Sequence, residues 1–143
     1  MTCHGKLPTK ERLKRFHILN DEICSLCNLE IEIVEHLFFK CRIASDIWKG
    51  ILQWLDVVHQ PNGWEEELDW VLKSSRKKGW RARVLKLAFA ENIYGVRQHR
   101  NDIVFGKDTS RNTINSIIDC IVYRGWQSKR ISPYIASLML YIC

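Results

Sequence analysis

The chain has 143 residues, of which 46% are hydrophobic and 27% charged, a composition typical of a globular protein that excludes a largely disordered chain. Its formal net charge of +6 favours a polyanionic partner such as nucleic acid or an acidic membrane surface. The cations cluster in residues 1–20 and 73–100, although ordinary solvated helix faces would give the same pattern.

The two ends of the sequence predict neither secretion nor a membrane span. The first residues are polar and lack the apolar run of a signal peptide. Residues 131–143 are apolar, but they are too few to cross a bilayer, so we expect a buried terminal helix or strand. We therefore predict a location in the nucleus or cytoplasm. Thiols stay reduced there, and six cysteines then favour metal binding over disulfides.

The amino-terminal part predicts short elements followed by an amphipathic helix. Thr9 caps a predicted helix that runs to about residue 17, and residues 23–32 are predicted to form a small hairpin or knuckle. A short helix is expected over 34–40. Apolar residues at helical spacing predict a longer helix over 44–58, for which the candidate N-caps are Ser45 and Asp46.

The remainder of the chain predicts a helical bundle. The break at Gln60-Pro61-Asn62-Gly63 separates a predicted domain 1–58 from a helical C-terminal region 59–143. Helices are expected over 64–78, over 80–105, and from residue 109 or 110 through 122. The tryptophans of these helices are predicted to be core residues, and so is Cys120, which lies in an apolar stripe.

Four residues have the spacing C-x2-C-x8-H-x4-C. They are Cys24, Cys27, His36 and Cys41. Zinc prefers four ligands in a tetrahedron, drawn from thiolate sulfur and imidazole nitrogen, and three thiolates with one imidazole leave no open position for catalysis. Scattered core cysteines, or a redox C-x-x-C, are the alternatives, but no βαβ pattern surrounds the motif. The spacing therefore predicts one structural Zn²⁺, and the fold class becomes mostly α: a zinc knuckle followed by about four helices.

The residues around these ligands resemble one known family. The matching motifs are Leu7-Pro8-Thr9, the two cysteines of the C-x-x-C, the run Glu35-His36-Leu37-Phe38-Phe39-Lys40-Cys41, and Ile47-Trp48. In this respect the chain resembles the zinc-binding domain at the C-terminal end of plant LINE-type retrotransposon reverse transcriptases. Residues 80–106 are loosely similar to the segment that often follows that domain. The family usually has a further aromatic-rich segment upstream, so the resemblance implies an amino-terminally truncated domain.

The resemblance implies a role in holding RNA or target DNA for a polymerase. The residues it suggests as nucleic-acid contacts are Lys6, Lys10, Arg12, Lys14, Arg15, Lys40 and Arg42. Phe38 or Phe39 could stack on a base, although burial is the favoured interpretation. A second basic cluster, residues 76–83, could contact phosphates without sequence specificity.

No catalytic activity is predicted. The sequence shows no polymerase, RNase H or endonuclease region and no glycine-rich phosphate loop. Two alternatives to nucleic-acid binding stay open. One is a protein-interaction module or homo-oligomer that docks through the tryptophan-rich helices at 47–72, and the other is an element fragment without a selected function.

Overall fold

Helices make up most of the computed structural model, which describes residues 22–107 and 112–139. They are α1 (His36–Lys40), α2 (Arg42–Trp54), α3 (Trp64–Ser75), α4 (Trp80–Val104), α5 (Thr113–Gln127) and α6 (Ser132–Met139). Within the described residues, extended pairing is limited to one antiparallel bridge between Ile23 and Ile31. The mostly α fold with an amino-terminal knuckle is therefore confirmed. No helix in the described ranges is long and apolar enough to cross a membrane.

The knuckle, residues 22–33, is a tight turn closed by backbone hydrogen bonds. The amide of Cys24 donates to the carbonyl of Glu30 at 2.8 Å, and the amide of Asn28 donates to the carbonyl of Cys24 at 2.9 Å. Asn28 has a φ of 57°, a left-handed conformation that asparagine tolerates better than most residues. These bonds fold the chain back on itself within one short segment.

A single residue, Cys41, separates α1 from α2, and its ψ of 130° is not helical. The amide of Cys41 donates to the carbonyl of His36 at 2.6 Å, a spacing of five residues that makes α1 a π-helical turn. Cys41 then serves as the N-cap of α2, so the predicted caps Ser45 and Asp46 are wrong. The helix ends at Trp54 because Asp56 adopts a left-handed φ of 58°, which helical backbone does not allow.

An aromatic core joins the first four helices. Phe39 of α1 stacks on Phe89 of α4 at a centroid distance of 5.7 Å. Trp48 of α2 meets the same Phe89 edge-on at 5.9 Å, and Trp64 of α3 lies 5.9 Å from Phe39. Trp48, Trp54 and Trp64 are buried, as expected for core residues, whereas Trp70 and Trp80 are only partly buried and Trp126 is 49% exposed. The division at residue 58 stays a prediction, and packing contacts cross it.

A buried ion pair attaches the knuckle to α4. Arg100 donates from Nε and Nη2 to Glu32 Oε1, at 3.1 and 2.6 Å, and both side chains are buried. The other oxygen of Glu32 accepts the backbone amide of Ser25 at 3.3 Å. Because Ser25 follows Cys24, the pair holds the turn that carries the first two zinc ligands against the bundle.

The later helices cross closely at small residues. A Cβ added to Gly95 of α4 would lie 2.3 Å from Ile117 of α5. The two helices can therefore pack this closely without rearrangement only because residue 95 is glycine. The start of α5 is capped by Asn112, whose side chain accepts the amide of Asn115 at 3.1 Å. Cys120 on α5 is exposed, so its predicted core position is wrong. The buried side of α5 is formed instead by neighbouring residues such as Ile117 and Ile121.

Candidate metal centre

The knuckle and the α1–α2 junction bring all four predicted ligands to one point. Cys24 and Cys27 lie on the turn of the knuckle, while His36 begins α1 and Cys41 follows its last residue. The helical turn between the latter two ligands places their side chains on the same side. Each ligand therefore reaches the site from a backbone position fixed by hydrogen bonds.

The distances between ligand atoms fit one tetrahedral ion. The four atoms all lie within 4.8 Å of one another. Cys24 Sγ and Cys41 Sγ are 3.9 Å apart, and Cys27 Sγ and His36 Nε2 are 3.3 Å apart. A tetrahedron with zinc bonds of about 2.3 Å to sulfur and about 2.05 Å to nitrogen has edges of about 3.8 Å and about 3.6 Å. The donor set and its spacing therefore fit Zn²⁺.

Burial makes this a structural centre. Cys24 and Cys41 are fully buried, His36 is buried and Cys27 is half-buried. Four protein ligands fill the coordination sphere, so no position remains for a water or a substrate. Such a site stabilises the fold and supplies no Lewis-acid chemistry to a substrate.

The two facing thiols are not equivalent in the metal-free chain. The hydrogen bond that Cys24 donates to Cys41 lowers the pKa of Cys41, helped by backbone amides of Ala44 and Ile43 at the start of α2. The same bond, together with burial, raises the pKa of Cys24. In the metal-free site Cys24 therefore holds its proton more tightly than Cys41 does, and zinc binding must release that proton.

The outer nitrogen of His36 faces a carboxylate that sequence reasoning missed. Nδ1 makes no hydrogen bond but lies 3.2 Å from Glu30 Oε2, close enough for electrostatic attraction. Glu35, the carboxylate next to His36 in the sequence, is instead paired with Lys40 at 2.8 Å. Glu30 belongs to the same turn that carries Cys27, a proximity that the sequence alone does not signal. Such partners orient a metal-bound histidine.

Comparison with known proteins agrees with this geometry. Residues 1–48 match the family model described as zinc-binding in reverse transcriptase. The match covers the amino-terminal third of the chain, which is therefore similar to a zinc-binding domain of this reverse-transcriptase type. The match contains all four ligands and covers a small metal-binding domain without any catalytic region. No curated protein and no solved structure matches the chain.

The structure describes two of the predicted nucleic-acid contacts. Lys40 and Arg42 are exposed on either side of Cys41. Lys40 is paired with Glu35, whose hydrogen bond and charge raise the pKa of the lysine. In the described part of the chain, Arg42 has no ion-pair partner. The other predicted contacts lie outside the described residues: Lys6, Lys10, Arg12, Lys14 and Arg15.

Base stacking by α1 is ruled out in this fold. Phe38 is fully buried and Phe39 nearly so, and both rings pack on Trp64. The favoured interpretation of these residues as core is therefore confirmed. They fasten α1, and with it His36 and Cys41, to the rest of the bundle.

Proposed function

We propose that this chain is a structural zinc module of plant LINE-type reverse-transcriptase origin that binds RNA or DNA. The observation that carries the proposal is the closed, buried centre of three cysteines and one histidine inside the matched segment. The exposed cation Arg42 lies directly after the last ligand. The plant LINE origin is supported by the sequence motifs around the ligands, from Leu7-Pro8-Thr9 to Ile47-Trp48. A nuclear or cytoplasmic location remains our prediction.

The zinc ion would act by fixing the knuckle to the α1–α2 junction. Cys24 and Cys27 would hold the knuckle, and His36 and Cys41 would hold the α1–α2 junction. Zinc supplies four strong bonds to a segment too small to build a large core of its own. A rigid junction then presents Arg42 at a constant position, where its guanidinium can donate to phosphate oxygens.

Arg42 is a better phosphate ligand here than Lys40. The lysine already donates to Glu35, so it must exchange that partner before it binds a phosphate. Arg42 makes no such bond within the described ranges, and its planar fork suits a phosphate. We therefore expect Arg42→Gln to weaken binding more than Lys40→Gln.

The test is a titration of zinc-loaded protein with fluorescent single-stranded RNA and DNA oligonucleotides, read by anisotropy at several salt concentrations. We expect affinity to fall steeply with salt, and to fall further in Arg42→Gln and in the combined variant Arg12→Gln/Lys14→Gln/Arg15→Gln. Arg97→Gln, an exposed arginine on α4, is the matched control. The proposal fails if neither polymer binds at low salt.

A second candidate function is protein docking through the knuckle. Leu29, Ile31 and Ile33 are 74%, 50% and 41% exposed on its outer side, which is unusual for three aliphatic residues so close in sequence. The predicted docking face on the tryptophan-rich helices has less support, because Trp48 and Trp64 are inside the core. Sedimentation over a range of concentrations distinguishes this function: Leu29→Ser should abolish any self-association and leave oligonucleotide binding unchanged.

A further inference from the structure

Two turns of the bundle carry positive charge and no negative charge. The α3–α4 turn and the start of α4 lie in residues 70–90, which contain no Asp or Glu, and the same holds for residues 120–143 around the α5–α6 turn. The exposed cations of these turns are Arg76, Lys77, Lys78, Arg81, Arg83, Lys129 and Arg130. Among the described residues, none of the seven forms an ion pair, so their charges face solvent without compensation.

A pair of stacked aromatic rings brings the two turns together. Trp80, the first residue of α4, stacks on Tyr134 of α6 with the ring centroids 5.0 Å apart and the planes 3° from parallel. Arg81 lies over the Trp80 ring at 4.8 Å. Trp80 directly follows the first basic turn, and Tyr134 lies four residues after Arg130. The stack is therefore the centre of one continuous basic surface, residues 76–83 and 128–134.

This basic surface is far from the zinc knuckle. Trp80 and Arg100 stand at opposite ends of α4, and Arg100 is the residue that binds Glu32 of the knuckle. Twenty residues of α-helix at about 1.5 Å each separate them by about 30 Å. The surface is thus separate from any contact that Arg42 makes.

The aromatic content of the surface favours nucleic acid over a lipid bilayer. Tyr134 is 42% exposed, so its ring can accept a base on the side not covered by Trp80. Within residues 76–83 and 128–134 the exposed large hydrophobic residue is Tyr134, and no large aliphatic side chain is exposed. Insertion into a bilayer also uses exposed aliphatic side chains, which this surface lacks.

We infer that this surface binds single-stranded nucleic acid, with phosphates on the two basic turns and a base on Tyr134. The inference rests on the proposed function, since it names a second site for the same class of partner. It assigns a separate contribution to the helical region that the family match does not cover. Stacking tolerates any base, so this site should show little sequence preference.

The experiment measures binding of zinc-loaded full chain to fluorescent single-stranded RNA, to the matching RNA duplex, and to phosphatidylserine vesicles. One variant, Lys77→Gln/Lys78→Gln/Lys129→Gln/Arg130→Gln, removes four exposed charges of the basic surface. Loss of four phosphate contacts should lower the slope of log affinity against log salt by up to about 3, at about 0.7 per contact. Lys49→Gln/Arg97→Gln, exposed cations elsewhere on α2 and α4, should change it much less.

A second pair of variants tests the stack. Tyr134→Ala should weaken single-strand binding about fivefold or more, while Tyr134→Phe keeps the ring and should bind nearly as well as the parent. Tyr94→Ala, which removes an exposed and unstacked tyrosine, controls for a general surface effect. Helical circular dichroism of each variant separates lost binding from lost folding.

The outcomes separate this inference from the broader function. Weaker binding in the four-charge variant and in Tyr134→Ala, each with helicity retained, supports the surface. If only Arg42→Gln weakens binding, the basic surface is wrong and the proposed function stands. Binding to the vesicles in preference to RNA, or equal binding to duplex and single strand, overturns the stacking site. If RNA does not bind at low salt, and the DNA oligonucleotide of the first titration does not bind either, both proposals fail together.

Discussion

Replacing Arg100 with methionine should destabilise the whole chain, because it breaks the buried joint between knuckle and bundle. The substitution keeps most of the aliphatic stem and removes the two guanidinium hydrogen bonds to Glu32 Oε1, at 3.1 and 2.6 Å. Hydrogen bonds to charged groups contribute about 1.5–3 kcal/mol each. Removing one partner of a buried ion pair costs about 3–5 kcal/mol. We therefore expect the free energy of unfolding to fall by about 3–5 kcal/mol.

The assay is thermal unfolding of zinc-loaded protein, followed both by helical circular dichroism and by release of zinc to a colorimetric chelator. Using about 2.1 cal/mol/K of unfolding entropy per residue, a loss of about 4 kcal/mol lowers the midpoint by about 13 °C. Arg97→Met, on the exposed side of the same helix, should change stability by less than about 0.5 kcal/mol. Glu32→Gln in both backgrounds completes a double-mutant cycle.

Two results would refute this reasoning. A loss below about 1 kcal/mol for Arg100→Met would show that the pair contributes little beyond its own desolvation. Separate transitions for helix loss and zinc release in the parent protein would show that residues 1–58 and 59–143 unfold independently. A single shared transition is expected, because the aromatic core and the ion pair both cross residue 58.

Three further predictions follow from the packing and the metal centre. Gly95→Ala should lower the free energy of unfolding by about 1–3 kcal/mol, because the added Cβ would lie 2.3 Å from Ile117; this outweighs the better helix propensity of alanine. The measurement is chemical denaturation, and an unchanged midpoint would contradict the close crossing of α4 and α5. Purified protein should hold about one equivalent of zinc by atomic absorption, and Cys24→Ser should lose most of it; full retention would refute the ligand set. The raised pKa of Cys24 keeps its thiol protonated when no metal is bound, so zinc must displace a proton and zinc affinity should rise with pH. Calorimetry in two buffers should detect the released proton. A zinc affinity that does not depend on pH would exclude a thiol ligand.

The metal ligands could be predicted from the sequence because their chemistry is local. All four lie between residues 24 and 41, and both the spacing and the residue types reflect the tetrahedral preference of zinc. The helices followed from apolar periodicity, with errors mainly at their ends. The spacing of apolar residues predicts the end of α2 at 58, but the helix ends at Trp54. The left-handed φ of Asp56 ends it, and apolar periodicity carries no information about that angle. The N-cap was missed because Cys41 serves as both ligand and cap.

The long-range contacts could not be predicted from the sequence. Glu32 and Arg100 are 68 residues apart, and each alone resembles an ordinary surface charge. The partner of His36 depends on the path of the knuckle, which places Glu30 at the ring and leaves Glu35 to Lys40. The stack of Trp80 on Tyr134 joins two segments 54 positions apart, and tryptophan at a helix start is by itself a core signal. Each of these contacts exists only once the helices have packed.

Helix α4 relates the metal centre to the rest of the molecule. Its carboxyl end holds the knuckle through Arg100, its middle contributes Phe89 to the aromatic core, and its amino end carries Trp80 on the basic surface. Zinc therefore stabilises one end of a rigid rod about 37 Å long, whose other end displays the uncompensated charge. Since the family match ends at residue 48, the matched domain accounts for the metal centre alone. The bundle has its own exposed chemistry, so the two regions need separate functional tests even though they share one core.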